Sequence, residues 1–193
     1  SYTVTGNAID GYIEGATIFA DANGDRQRDE GEAWTTTGTD GAYTLTGAEG
    51  RIVLHGSADA VDVATGLTFR GILEAPAGST VVTPLTTLIN KLVDGDFGLD
   101  AAAAQAKVKS ALGITSDVDL TTFDPVEAAL SDDSTIAAKG IEIAAHGIAT
   151  QNLITQAAAA IRAAEHTGSS GGWGGATSDV YKTMADAIDG LAV

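Results

Sequence analysis

The spacing of apolar and polar positions changes near residue 80. Before that point the apolar residues fall in short runs, at 1–7, 12–20, 42–46, 51–56 and 67–74, separated by Gly, Asp and Asn. Such runs predict β-strands joined by turns, with 47–50 linking two of them. Asp10-Gly11 and Asp40-Gly41 stand directly before strand-like runs, as turn formers do. From Thr83 onward the period is helical. Thr83-Pro84 offers an N-cap and a proline in the first turn, followed by Leu85, Leu88, Ile89 and Leu92 on one face. Asp100 opens a second helix that runs to Leu112 and stops at Gly113. Asp124-Pro125-Val126-Glu127 reads as a capping box that starts a short third one.

Residues 133–164 predict one long helix, ~48 Å at 1.5 Å per residue, with a stripe of Ala, Gly and Ile that neighbours can approach closely. A glycine-rich loop at 168–175 follows, and a last helix is expected from about 178 to 191. The expected architecture is α+β: an N-terminal antiparallel β-sandwich-like module over 1–80, with a helical half over 81–193 packed against it in one compact unit.

Charge narrows the class. Ten Lys and Arg face 26 Asp and Glu, a formal charge of −16, so the field repels nucleic-acid backbones and anionic membranes. No run of ~18 strongly apolar residues is present to cross a bilayer. The absence of cysteine removes disulfides, thiolate nucleophiles and zinc–thiolate sites. A soluble, acidic, folded protein is expected, and the start at Ser1 reads as a piece of a longer polypeptide.

The sharpest chemical pattern lies at 21–32. Asp21, Asn23, Asp25, Asp29 and Glu32 fall at positions 1, 3, 5, 9 and 12 of a twelve-residue loop, and Gln27 adds its backbone carbonyl at position 7. Calcium takes six to eight hard oxygens, which this alternation turns toward one centre. Arg26 stands where an EF-hand has glycine, and strand-like runs flank the loop, so a calcium-binding β-hairpin connection is expected. A solvated acidic turn is the plain alternative. Further oxygen donors sit in turns at Asp10, Asp40, Asp59, Asp62, Asp94, Asp96, Asp117, Asp119 and Asp124, enough for a second calcium, although Asp100 and Asp124 also suit helix caps.

In the loop that follows the long helix, Gly171, Gly172, Trp173 and Gly174 are candidate ligand-binding residues, because glycines expose backbone N–H groups and an exposed Trp can stack on a ligand. A connector whose Trp173 plugs into the core is the alternative, and Trp34 reads as core or hairpin packing. No enzyme signature is present, and His55, His146 and His166 lack metal-ligand spacing, so catalysis is not expected.

The stretch 10–21, the DxNxDxxxDxGE loop and Thr39-Asp40-Gly41-Ala42-Tyr43-Thr44-Leu45 together resemble the calcium-binding B-type modules of bacterial surface adhesins. The segments 81–88 and 118–125 are similar to parts of large Gram-negative surface proteins. The β-plus-helical unit as a whole resembles the peptide-binding domain of giant RTX adhesins. That resemblance implies a secreted, cell-surface module, flanked by other domains of a longer adhesin, that grips the free C-terminus of a partner protein on a host or neighbouring cell, with bound calcium accepting the ligand carboxylate. A structural spacer, a lectin-like module that binds a glycan through calcium and Trp173 or Trp34, and an acidic hydrolase are the rival readings.

Overall fold

The computed structural model describes residues 1–95, 98–164 and 172–191. The chain mixes strands and helices, and among the described residues the strands fall into three small sheets. In the first, β1 (Tyr2–Ala8) lies between antiparallel β5 (Ala42–Ala48) and parallel β10 (Val81–Val82). The second is a set of short pairings, β2 (Ile13–Glu14), β7 (Val61–Asp62) and β8 (Leu67–Thr68). The third runs β4 (Trp34–Thr36), β3 (Thr17–Asp21), β6 (Arg51–His55) and β9 (Ile72–Ala75), all antiparallel.

Two of the expected strands are each divided. Residues 12–20 hold β2 and β3, because Gly15 turns the chain at φ +75° and its missing side chain leaves room for the Asp59 carbonyl, 2.5 Å from where a Cβ would stand. Residues 67–74 likewise divide between β8 and β9. Strands β4, β7 and β10, too short to show a period, are additions to the sequence reading.

The helices begin close to their capping residues. In α1 (Pro84–Asp94), Thr83 and Thr86 exchange side-chain-to-backbone bonds of 2.8 and 3.0 Å, a reciprocal capping box. Asp100 caps α2 (Ala101–Leu112), and Gly113 ends it in the left-handed region. Asp124 caps α3 (Pro125–Ala129) by accepting from Val126 and Glu127 N–H, without the return bond from Glu127 that a full box would have. Asp133 accepts from Thr135 and Ile136 N–H at the start of α4 (Ser134–Ala164).

The last helix, α5 (Trp173–Asp189), starts five residues before the expected Ser178. Gly174 lies inside its first turn, and a Cβ there would come 3.0 Å from Ile72 Cδ1 on β9. The glycine that suggested a loop instead lets the helix seat against the sheet.

Helix α1 is the hub. Every residue from Pro84 to Leu92 is buried, and the helix touches β9, α2, α4 and α5. Leu85, Leu88, Ile89 and Leu92 pack in one apolar cluster with Ile18, Ile52, Leu54 and Leu73 of the third sheet and with Tyr181 of α5. Such burial is worth roughly 2 kcal/mol per large aliphatic side chain. Gly140 allows the close approach expected of α4, since a Cβ there would meet the Ala129 nitrogen at 2.3 Å. Among the described residues no helix is long and apolar enough to cross a membrane.

Candidate functional site

The loop 21–32 leaves the end of β3 and returns to β4, so strands flank it as the sequence predicts. Its side chains organise its own backbone. Asp21 accepts from Gly24 and Arg26 N–H at 2.8 and 3.0 Å, Asn23 Oδ1 accepts from Asp25 N–H, and Asp25 Oδ1 accepts from Gln27 N–H. Glu32 closes the loop, one oxygen accepting from Ala22 N–H and the other from Asp29 N–H. The carboxylates of Asp25 and Asp29 converge on the Asn23 amide, whose Nδ2 donates to them at 3.2 and 2.7 Å.

Asp21, Asn23, Asp25, Asp29 and Glu32 are thus drawn into one turn, and the Asn23 amide holds two acidic oxygens that would otherwise repel. Among the described residues no three His, Cys, Asp or Glu side chains gather at metal-binding distance. Asp21 and Glu32 are instead turned to backbone N–H groups. The donors of the loop are nonetheless all hard oxygens, a set that suits calcium by type and number. Arg26 occupies the sharp-turn position with φ +63°, in the left-handed region that glycine serves in an EF-hand.

The side chain of Arg26 explains why the loop tolerates that strain. Its Nε lies 2.9 Å from Glu74 Oε1 and its Nη2 lies 3.0 Å from Asp94 Oδ2. Glu74, fully buried on β9, also receives Lys91 Nζ at 2.5 Å and Asn90 Nδ2 at 2.6 Å from α1. Burial pushes the Glu74 carboxyl up, but Lys91 and Arg26 outweigh it and hold it below the ordinary carboxylate range. Arg51 joins Asp94 to Asp21, reaching the latter at 3.5 Å. Lys91 continues the network to Ser178 Oγ on α5, at 2.8 Å. The loop 21–32 is therefore wired through Arg26, Glu74 and Lys91 to the last helix. Position 6 of the loop pointed to a departure from the EF-hand, but nothing near it in sequence names Glu74 or Asp94 as partners.

Five of the turn carboxylates offered for a second calcium are held by other duties. Asp94 pairs with Arg26 and Arg51, Asp62 accepts from Ala64 and Thr65, Asp117 pairs with Lys139, and Asp119 and Asp124 accept from nearby backbone N–H groups. Asp96 and His166 lie outside the described residues.

Of the candidate ligand residues, Gly171 and the preceding 168–170 lie outside the described residues. Gly172 is the N-cap of α5, without a side-chain bond to the first turn, and Trp173 and Gly174 belong to that turn rather than to a loop. Trp173 is partly exposed, with the Arg162 guanidinium carbon 4.8 Å from its ring centre. Gly56, Ser57 and Arg70 complete a surface hollow with Arg162, Gly172, Trp173 and Gly174. Neither arginine has an acidic partner among the described residues. The sequence reading missed both, since Arg70 lies about a hundred residues from Trp173.

Trp34 is not core. It is 52% exposed on β4, and Arg28 covers its ring at 4.5 Å. In comparisons with known proteins, the chain matches no family model, no curated protein and no solved structure, and its function is argued from these residues alone.

Proposed function

We propose that this chain is a non-enzymatic, calcium-dependent ligand-binding module of a secreted, bacterial cell-surface adhesin, with a β-sandwich-like calcium module, that recognises the free C-terminus of a partner peptide. The observation that carries the reading is the hollow at the start of α5. In a chain of charge −16, Arg70 and Arg162 flank an uncapped helix N-terminus, beside the face of Trp173. Backbone N–H groups at a helix start and two guanidinium groups suit a carboxylate, and the indole suits the apolar side chain that precedes it. These arginines supply the positive charge that the sequence reading assigned to a second calcium.

Calcium acts at a distance from that hollow. Asp21, Asn23, Asp25, Asp29 and Glu32, with the Gln27 carbonyl, would hold the ion, which neutralises the carboxylates and fixes the loop. Arg26, Glu74, Lys91 and Ser178 then form the physical connection to α5. Free calcium at about a hundred times its dissociation constant stabilises the fold by roughly 2.7 kcal/mol.

The test is an array of peptides with varied free C-termini, read in calcium and in chelator, with C-terminally amidated copies alongside. Calcium-dependent hits that vanish on amidation and weaken at least tenfold in Arg162→Gln are expected. An array with no such hits overturns the peptide reading, and a melting temperature that calcium leaves unchanged overturns the metal reading.

A further inference from the structure

A second site lies on the opposite logic, apolar walls around an acid. A cavity of about 330 Å³ opens among the connection between β1 and β2, the first turns of α1 and α3, and one face of α4. Its walls include Leu85, Phe123, Val126 and Ile143, and among the described residues no Lys, Arg or His lines it. None of the residues of the calcium loop or of the hollow at α5 contributes to it. Its volume falls at the small end of small-molecule sites, which are mostly apolar with a few placed polar groups.

The polar groups near it are committed, with one exception. Asp124 accepts from Tyr12 Oη at 3.0 Å and from two α3 N–H groups. Asp62 accepts from Ala64 N–H and Thr65 Oγ1, and packs so tightly on Gly11 that a Cβ there would stand 2.3 Å from its Oδ1. Asp10, in the cavity wall, makes no side-chain hydrogen bond among the described residues. Burial, and then the charge of Asp62, push its carboxyl up to about 8. The bare carboxylate is thus penalised where it stands, a penalty that a cation beside it would relieve.

We propose that this cavity binds small organic amines, the apolar body seated against Leu85, Phe123 and Ile143 and the ammonium group against the Asp10 carboxylate. Charge selects the occupant: Asp10 and Asp62 attract an ammonium, the overall charge of −16 concentrates cations at the surface, and an anion of the same shape meets repulsion throughout. The chemistry needed is one positive nitrogen on a chain or ring small enough for the cavity.

The experiment titrates the full chain at about pH 9, where Asp10 is ionised and the amine still charged, in chelator, with 4-phenylbutylammonium, its neutral isostere 4-phenylbutanol and the anionic 5-phenylpentanoate, read by calorimetry and by NMR shifts of cavity residues. The amine is expected to bind at least tenfold more tightly than the alcohol, with the anion weakest. Asp10→Asn keeps the shape of the side chain and is expected to erase the preference for the amine while leaving alcohol binding within about twofold. Gly147→Leu fills the cavity from α4, where nothing stands within 4 Å of the added Cβ, and is expected to abolish binding of all three. No binding of the amine, equal binding of amine and alcohol, an amine preference that survives Asp10→Asn, or shifts that persist in Gly147→Leu each overturns the proposal.

Discussion

Asp10→Asn should stabilise the protein, and by an amount that depends on pH in a fixed sense. In the folded chain the Asp10 carboxyl is pushed from an ordinary value of 3.8 to about 8 by burial and by Asp62. A folded value above the unfolded one means that the fold favours the protonated acid. The wild type therefore has its full stability from this group below about pH 4 and loses it progressively as pH rises toward 8. Four units at about 1.4 kcal/mol each set a ceiling of roughly 6 kcal/mol. Asp10 is only partly buried and faces a cavity that water can enter, and a local dielectric nearer ~20 than ~4 brings the expected penalty to about 2–3 kcal/mol. Asparagine carries no such penalty. Urea unfolding of both proteins in chelator, at pH 4.5, 6.5 and 8.5, isolates the group, because the other titrations cancel in the difference. The variant should exceed the wild type by about 1 kcal/mol at pH 4.5, where the unfolded acid has begun to ionise, and by about 2–3 kcal/mol at pH 8.5. A difference that stays constant across that range would refute the reasoning.

The buried pair and the helix packing give two further expectations. Lys91→Met leaves Glu74 buried with only Arg26 and Asn90, and removes the bond to Ser178, so unfolding should become easier by about 3 kcal/mol; a loss under ~1 kcal/mol in a denaturant titration would show that the network is not a structural tie. Two glycine-to-alanine changes on α4 should act in opposite directions. Gly140→Ala drives a methyl into the α3 backbone and should cost about 2 kcal/mol, whereas Gly147→Ala enters open space and should gain up to about 1 kcal/mol in helix propensity. Thermal melts of the two variants that moved the same way would contradict the packing described for Gly140.

Residues a few positions apart were enough to announce the caps. Asp100 and Gly113 bound α2, Thr83-Pro84 starts α1 and Asp133 starts α4, because an N-cap bond spans only two or three residues and its geometry is local. The spacing of Asp21, Asn23, Asp25, Asp29 and Glu32 likewise identified a loop whose side chains fold back on their own backbone. Trp34, read as core or hairpin packing, is exposed on β4, because size and apolarity suggest a core position while burial depends on what the fold packs against the ring; here that is only Arg28.

What the sequence by itself determined is therefore the order of the helices and longer strands, the change from strands to helices near residue 80, and an oxygen-rich loop between two strands. Only the tertiary structure decided which distant groups meet. It brought Arg26 to Glu74 across 48 residues, gathered Arg70 and Arg162 beside Trp173, and left Asp10 in an apolar wall while every neighbouring carboxylate found a donor. The physical reason is range. Propensity, capping and turn chemistry act over a few residues, whereas burial and charge pairing depend on which surfaces the packing of α1 against β9, α4 and α5 brings together.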